Sequence, residues 1–228
     1  MNNNEKVSFE NTAYQQLKQA IIRGIYPPGS QIIEELIATQ LNMSRSPVRG
    51  AIKRLEAEGF LDKRANRRMY VTHGNAKRTL DALYIRKALE GASAYQAALN
   101  HTDEDIAAIQ AILNQMKDYC DNDDSFNALR LGTDIHKAIY QATKNNQLIT
   151  LGINVLEQVS LFGYKSLRES PSRIHESFSE HAALAEAIFA GDCLLAEQKA
   201  RDHVEVLIKR VLRHYDEEQN GPPLLIQY

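Results

Sequence analysis

The sequence contains no long apolar run and only two cysteines. No segment approaches the ~18 apolar residues that a membrane span requires, and the first residues, MNNNEKVSFE, lack the apolar core of a secretion signal. Cys120 and Cys193 are far apart and form no C-x-x-C pattern, so we interpret both as reduced thiols. These absences argue against a disulfide-linked secreted scaffold and predict a cytoplasmic protein without a membrane partner.

Motifs for catalysis are also missing from the sequence. There is no H-E-x-x-H pattern and no recognisable nucleophile motif, which argues against an enzyme. The composition itself is ordinary for a soluble globular protein, with 43% apolar and 25% charged residues among 228. A chain of this length is long enough for two modest domains.

The net charge of −2 conceals an uneven distribution of charge along the chain. Residues 44–78 contain ten Lys or Arg but only three acidic residues, whereas the remainder is acidic. A local basic block in an acidic protein is typical of a phosphate-binding module attached to a domain with another task. A solvated charged face would give the same count, so the local pattern must decide between them.

The basic block contains a short helix whose two ends are visible in the sequence. Ser46 is suited to the N-cap, Pro47 to the first helical position, and Gly59 to the left-handed conformation that ends a helix. Apolar residues recur on one side of this helix, while Arg49 and Lys53 share another face. One face is therefore expected to pack and the other to bind a negatively charged partner.

The flanking segments complete a helix-turn-helix. NTAYQQLKQAIIRG at 11–24 predicts one helix before a Pro-Pro-Gly break, and IIEELIATQL at 32–41 predicts a second. A tight turn then leads to the basic helix, which in this motif lies in the major groove of DNA. FLDKR and MYVTH follow as β-prone pieces, so we predict a hairpin, or wing, with Arg67 and Arg68 at its tip.

From Asn75 onward the pattern is helical, with no β-prone segment. We expect six helices, at 75–100, 103–121, 125–143, 146–168, 171–190 and 192–217. A helical domain of this size can bury a core and enclose a pocket. The fold is thus predicted to be mainly α: a winged helix-turn-helix at 8–74, a helical bundle at 75–217 and an irregular tail at 218–228.

Both parts of the sequence resemble one known family. AYQQLKQAIIRGIYPPGSQIIEELIATQLNMSRSPVRGAIKRLEAEGFL is similar to the winged-helix domain of GntR-family bacterial transcription regulators. IRKALEGASAYQAA, DIHKAIYQATKNNQL and SEHAALAEAIFAGDCLLAEQKARDH are similar to the helical, FCD-type ligand-binding domain of the FadR-like branch. The resemblance implies a homodimeric regulator that binds double-stranded operator DNA and a small effector, an organic acid.

The resemblance also indicates which residues contact DNA. Arg45, Ser46 and Arg49 fall at positions that contact DNA in the family, with Ser44 beside them. Local charge adds three more positions, so the expected set is Ser44, Arg45, Ser46, Arg49, Lys53, Arg67 and Arg68. The family usually has Glu where this chain has Gly50, a change that costs roughly 1 kcal/mol of helix propensity. Its wing commonly reads Arg-Gly, where this chain has two arginines.

Many members of the FadR-like branch bind a divalent metal through an Asp and three His, and this metal helps to hold a carboxylate effector. The three histidines correspond to His136, His181 and His203, but the Asp position is occupied by Gly132. Asp134 lies about 200° around the helix from the first histidine and cannot replace that Asp. The three histidines could still hold Zn²⁺ or Ni²⁺, with water or an effector carboxylate completing the coordination.

Arg86 is a second candidate for binding the effector. In the resembled domain this arginine can face the cavity, where a guanidinium would bind a carboxylate through two hydrogen bonds. An ion pair with Glu90, one helical turn later, is the alternative that we slightly favour.

Several functions remain open at this point. We favour an effector-responsive regulator, most simply a repressor of a metabolic operon, that uses the three-His metal site. A metal-free sensor would instead hydrogen-bond its effector through the histidines. A three-His metalloenzyme fused to a DNA-binding module is a more distant alternative. A nonspecific nucleic-acid-binding protein would bind any duplex with nearly equal affinity.

Overall fold

The computed structural model describes residues 3–64, 67–162 and 171–220, without the side chains of 3–8, 125, 126, 129, 162, 171, 172 and 214–220. These residues form two compact units: the first comprises the chain up to Asn75 together with Ser160–Phe162, and the second comprises the rest of the described chain from Ala76 onward. Their helices and strands are α1 (Asn3–Ile22), β1 (Gln31–Ile32), α2 (Glu34–Gln40), α3 (Arg45–Ala57), β2 (Leu61–Lys63), β3 (Met69–Val71), α4 (Ala76–Asn100), α5 (Asp103–Asp121), α6 (Ser125–Ala142), α7 (Asn146–Phe162), α8 (Pro171–Phe189) and α9 (Cys193–Asn220). The prediction of a mainly α fold is confirmed.

The first unit is a winged helix-turn-helix. α3 packs against α1 and α2 through a core that includes Leu17, Ile21, Val48 and Leu55, all almost fully buried. The wing is a three-stranded antiparallel sheet in the order β1-β3-β2. Burying one face of α3 in this way leaves its opposite face exposed.

Strand β1 was not predicted. Gln31 and Ile32 pair with Tyr70 and Met69 of β3, so the start of the predicted helix at 32–41 is wrong. The apolar residues of IIEELIATQL fit a helix and a strand equally well over so short a stretch. Pairing with β3 places Ile32, the first residue of this stretch, in a strand.

The basic helix begins earlier than predicted. Ser44, in an extended conformation, occupies the N-cap position, and α3 starts at Arg45 rather than after Ser46. Pro47 is therefore the third residue of the helix rather than the first. It is tolerated there because the first backbone N–H groups of a helix have no intrahelical partner. Gly59 has a φ of 78°, as the predicted end of the helix requires.

The second unit is the predicted bundle of six helices. Thr102 and Asp105 form a capping box at the start of α5, and the Asp124 side chain caps α6. α4 packs along α9, and α6 and α8 complete the centre of the unit. The free thiol of Cys120 is buried in the core of this unit, whereas that of Cys193 is partly exposed.

The end of the last helix differs from the prediction. α9 extends to Asn220, three residues into the segment predicted to be an irregular tail. Glu217, Glu218 and Gln219 are good helix formers, and the first helix-breaking residue after them is Gly221. Residues 163–168 of the fourth predicted helix and the rest of the tail lie outside the described part of the chain. None of the described helices has the length and apolarity needed to cross a membrane.

Candidate functional site

The exposed face of α3 carries the arginines predicted to contact DNA. Arg45 and Arg49 each leave about three fifths of the side chain exposed, at 60% and 59%. The other predicted contacts are exposed as well, namely Ser44, Ser46 and Lys53 on or next to α3 and Arg67 and Arg68 in the wing. These side chains are available to an anionic partner, as phosphate and base contacts require.

Both arginines pair with acidic residues of α2. Arg49 donates from Nε to Glu34 Oε2 at 2.9 Å and from Nη2 to Oε1 at 2.7 Å. Arg45 Nη2 lies 2.7 Å from Glu35 Oε1. The hydrogen bonds from Arg49 hold the pKa of Glu34 below its usual value, so this carboxylate is charged at neutral pH. Neither acid was predicted as part of the interface, although acidic residues at a helix start are a visible signal.

A buried polar network holds the other end of α3 against α1. Tyr14 donates to Glu58 Oε2 at 2.6 Å, and the buried Lys18 donates to Tyr14 Oη at 2.9 Å. Arg54 donates from Nε to Glu58 Oε1 at 3.0 Å. Burial would raise the pKa of Glu58, but the hydrogen bonds from Tyr14 and Arg54 and the charge of Lys18 outweigh it and lower that pKa. The network fixes the position of the end of α3 relative to α1.

The structure explains why glycine is accommodated at position 50. A Cβ added to Gly50 would lie 2.2 Å from Oε2 of Glu10 on α1. The carboxylate of Glu10 thus occupies space that a larger residue in α3 would need, and a second carboxylate there would also be repelled by it.

His136 of α6, His181 of α8 and His203 of α9 converge in the middle of the second unit. All three are at least 95% buried. His136 Nε2 lies 3.2 Å from His203 Nε2 and 3.1 Å from His181 Nε2. Three nitrogens bound to one zinc at ~2.0–2.1 Å would be separated by about 3.0–3.4 Å. The spacing of the histidines therefore fits a single metal ion.

The outer nitrogen of each ring faces an oxygen acceptor. His181 Nδ1 lies 2.7 Å from the backbone oxygen of Ser177, and His203 Nδ1 lies 2.7 Å from Glu180 Oε2. His136 Nδ1 is 3.2 Å from Glu90 Oε2. For His181 and His203 these acceptors assign the proton to Nδ1 and leave the Nε2 lone pairs directed at the shared centre, as in protein metal sites. The approach of His136 to Glu90 is not a hydrogen bond, and Glu90 Oε2 has no hydrogen-bond partner among the described residues.

Glu90, Ser177 and Glu180 were not predicted as part of this site. Two of them could have been found from the sequence. Ser177 lies one helical turn before His181, and Glu90 was already expected as a partner of Arg86. Glu180 adjoins His181 in sequence but contacts His203 of another helix, and no spacing rule predicts that contact.

Two arginines hold the carboxylates that face the histidines. Arg86 Nε lies 2.5 Å from Glu90 Oε1, so the favoured ion pair is present and both side chains are buried. Arg173 donates twice to Glu180, at 2.6 and 2.9 Å. Burial would raise the pKa of Glu180, but hydrogen bonds with His203 and Arg173 outweigh it and hold that pKa at about 2.

Two of the histidines, His136 and His181, are neutral at neutral pH. Burial lowers the pKa of His136 and His181 well below the usual value, and the positive charge of Arg86 adds to this effect. Neutral imidazole is the form that binds metal, so no proton has to be removed before these nitrogens coordinate an ion.

Gly132 lies one helical turn before His136 and faces the cluster. A Cβ added there would lie 3.3 Å from Cε1 and 3.7 Å from Nε2 of His181. The position from which the family's Asp would reach a metal therefore carries no donor atom. Asp134 is partly exposed and lies 3.8 Å from Lys137, and it is not part of the cluster, as predicted.

A small cavity lies next to the histidines, one helical turn further along α6. Its volume is about 10 Å³, and its lining residues are Glu90, Ser93, Ala94, His136, Ile139, Tyr140, Leu184 and Ala200. Ser93 Oγ and Tyr140 Oη are buried and have no hydrogen-bond partner among the described residues. The Tyr140 ring packs closely against Gly152 of α7, where an added Cβ would lie 2.2 Å from the ring.

Comparison with known proteins agrees with this architecture. Residues 9–71 match the family model of bacterial regulatory proteins, gntR family, and residues 81–206 match that of the FCD domain. A probable D-xylose utilization operon transcriptional repressor of Paenarthrobacter nicotinovorans is 29% identical, covering 81% of this chain and 80% of its own. The Nta operon transcriptional regulator of Aminobacter aminovorans is 26% identical over 84% and 86% of the two chains.

Solved structures show the same fold. Escherichia coli McbR/YncC superposes with a TM-score of 0.75 at 22% identity, covering 91% of this chain and 98% of its own. A GntR regulator from Rhodococcus sp. RHA1 has a TM-score of 0.72 at 20% identity, with 91% and 99% covered. The family and the named relatives are transcriptional regulators rather than enzymes. The chain therefore belongs to the GntR family of bacterial regulatory proteins, as a DNA-binding transcription regulator with a C-terminal FCD domain.

Proposed function

We propose that this regulator is a homodimeric repressor of a metabolic operon that responds to a small organic acid through a divalent metal. The observation that carries the proposal is the convergence of three buried histidine nitrogens on one point. Buried polar nitrogens without a shared ligand would cost free energy, whereas a bound cation would satisfy all three at once.

The metal we propose is Zn²⁺ or Ni²⁺. Imidazole nitrogens suit these borderline ions, whereas ions that prefer oxygen ligands would want the carboxylate that Gly132 lacks. A metal held by His136, His181 and His203 would supply a Lewis-acidic centre for an anionic group. The glycine leaves room on one side of the cluster for water or for an effector carboxylate.

The residues around the histidines would set the orientation of the ligands. Glu90 and Glu180 face His136 and His203, and each is held in turn by an arginine. We propose that Arg86 acts on the effector chiefly through Glu90, because direct contact with a carboxylate would require Arg86 to leave that buried pair. Ser93 and Tyr140 can offer hydrogen bonds to a small polar group in the adjacent cavity.

The proposed DNA contacts are Ser44, Arg45, Ser46, Arg49, Lys53, Arg67 and Arg68. Arginine and lysine supply base-edge and phosphate contacts, and the serines help to fix the register of α3 on the duplex. An effector would alter repression only by as much as it binds one arrangement of the dimer better than the other. Since each protomer brings one reading helix, a pseudo-palindromic operator is expected.

A metal-free sensor is the second candidate. Gly132 removes the only anionic ligand of the family site, and the histidines can act as hydrogen-bond acceptors at Nε2. In that case an undissociated acid or hydroxyl group would bind where the metal is otherwise proposed.

Elemental mass spectrometry separates the two candidates. The full chain, without a histidine tag, is purified in buffers free of chelator, alongside His181→Ala and the control His175→Ala, an exposed histidine of the same helix. We expect about one Zn or Ni per chain in the wild type and the control, and its loss in His181→Ala. Metal-free wild-type protein, or metal retained by a folded His181→Ala variant, would contradict the three-His site.

A further inference from the structure

Two acidic side chains lie on the otherwise basic face of the winged helix unit. Glu34 and Glu35 are the first residues of α2, and each pairs with one of the arginines proposed to contact DNA. Glu34 leaves 27% and Glu35 63% of its side chain exposed, so both reach the surface beside α3. A carboxylate in this position would lie near the phosphates of bound DNA and would affect binding.

The pair between Arg49 and Glu34 orients the arginine. Two parallel hydrogen bonds use the Nε and Nη2 atoms on one edge of the guanidinium. The remaining N–H groups, on Nη1 and on the outer side of Nη2, form the end of the guanidinium and stay free to donate. That end can bind the two acceptors of guanine in the major groove. Glu34 therefore restricts the orientation of the Arg49 guanidinium without occupying the N–H donors that a base contact needs.

The pair between Arg45 and Glu35 has a different character. It consists of one contact of 2.7 Å between side chains that are both about three fifths exposed. Pairs of this kind are weak in water, so a DNA phosphate can take the place of Glu35. The displaced carboxylate then stays close to the phosphate and repels it. This cost is the same for every DNA sequence because phosphates carry no sequence information.

We propose that Glu34 and Glu35 tune how this regulator binds DNA, the first by positioning Arg49 for a base and so raising sequence selectivity, and the second by weakening contacts with phosphate on DNA of any sequence. The inference rests on the proposed function, in which α3 contacts DNA through Arg45 and Arg49. It adds one specificity-determining residue, Glu34, and one residue that limits overall affinity, Glu35, both outside the set of proposed DNA contacts.

The test compares two DNA probes. One is a duplex selected by the full-length wild-type chain from a random-sequence pool, and the other is an unselected random duplex of equal length. Affinities for both are measured over a series of salt concentrations for Glu34→Gln, Glu35→Gln and Glu104→Gln. Glu104 is an exposed acid in the first turn of α5, so its substitution gives the same change of charge outside the winged helix unit.

We expect Glu34→Gln to weaken binding to the selected duplex by roughly tenfold without weakening binding to the random one. Glu35→Gln should strengthen binding to both duplexes several-fold and steepen the dependence of log K on log salt by about 0.9, as one added phosphate contact would. Glu104→Gln should change neither the affinities nor the salt dependence. A wild-type ratio of the two affinities in Glu34→Gln, or wild-type affinities and salt dependence in Glu35→Gln, would overturn the proposal.

A further variant separates this inference from the proposed function. If Arg49→Ala weakens binding to the selected duplex, but Glu34→Gln keeps the wild-type ratio and Glu35→Gln keeps the wild-type affinities, only the role of the acids is rejected. If Arg49→Ala changes nothing, or if the pool yields no preferred sequence, the proposed reading of DNA by α3 fails and this inference fails with it.

Discussion

The two candidate sites hold their key side chains in opposite ways. On α3 the arginines are exposed and charged, and they pair with acids whose place another anion can take. In the bundle the histidines are buried, and their outer nitrogens face acceptors that are fixed by further contacts. The first arrangement favours rapid exchange of partners, whereas the second favours a fixed geometry.

The difference follows from desolvation. An exposed ion pair contributes little to stability, so the protein loses little when DNA replaces the acid. A partly buried carboxylate such as Glu180 is stable in its ionised form only with its hydrogen bonds intact, so removing one partner affects the whole group. Substitutions of these bundle residues are thus expected to change stability and metal binding, and substitutions of the exposed arginines on α3 to change DNA affinity alone.

The largest effect is expected from Glu180→Gln. The pKa of Glu180 is held at about 2, below its value in an unfolded chain, so the ionised form stabilises the fold above the unfolded pKa. This contribution is lost as the pH falls from about 4.5 towards 2, and the substitution should remove about 2 to 3 kcal/mol of unfolding free energy at pH 7. Urea unfolding of the metal-free protein at several pH values measures it.

Glu176→Gln is the matched control for this prediction. Glu176 lies one turn earlier on α8 and is 68% exposed, so its replacement should leave the acid limb of the stability curve in place. An unchanged curve for Glu180→Gln would contradict the argument that Glu180 is a partly buried, ionised partner of His203.

Gly132→Asp should complete the donor set of the bundle. A carboxylate added one turn before His136 faces the cluster, and the nearest atom, His181 Cε1, is 3.3 Å from the new Cβ. We expect an increase of about 10- to 100-fold in affinity for divalent metal, measured by competition with a chelator. Gly132→Asn, which is nearly isosteric but uncharged, should give a smaller gain. A loss of metal in the aspartate variant would show that the space is needed for another ligand.

Arg49→Ala should weaken binding to a selected operator duplex by about 1 to 3 kcal/mol, the usual value of a good base contact. Since the side chain is exposed, the melting temperature should stay close to that of the wild type. A gel-shift titration checks the affinity, with Arg130→Ala, an exposed arginine of α6, as the control. Equal affinities of the two variants would show that Arg49 does not contribute to DNA binding.

The smallest effect is expected from Gly50→Ala. Alanine has a better helix propensity by up to about 1 kcal/mol, but its Cβ must displace the carboxylate of Glu10. Because that carboxylate is the end of a flexible side chain, we expect a net gain in stability of at most about 1 kcal/mol, visible by thermal unfolding. A marked loss would indicate that the contact between Glu10 and α3 is rigid.

The helices of this protein were readable from its sequence because their caps are explicit. Thr102 with Asp105 and Gly59 with its left-handed backbone are local signals that need no tertiary information. β1 was missed because Ile32 becomes a strand residue only through pairing with Met69, which is far away in sequence. The early start of α3 reflects the choice between two serines, either of which can cap a helix.

The histidines were found by resemblance and not by spacing, since each lies on a different helix. Resemblance also drew attention to Gly132, and helix geometry correctly placed Asp134 on another face. The partners of the histidines were harder to find. Glu180 and Arg173 act across helices on His203, and only the packing of α8 against α9 brings them together.

The glycine facing the histidines also has an evolutionary consequence. A single nucleotide substitution converts the glycine codons GGT and GGC into the aspartate codons GAT and GAC. The backbone at Gly132 is ordinary helix, so neither residue requires a change of fold. The number of protein donors offered to the metal can therefore rise or fall in one mutational step. In such a lineage, the same step would change whether the effector has to supply a metal-binding group of its own.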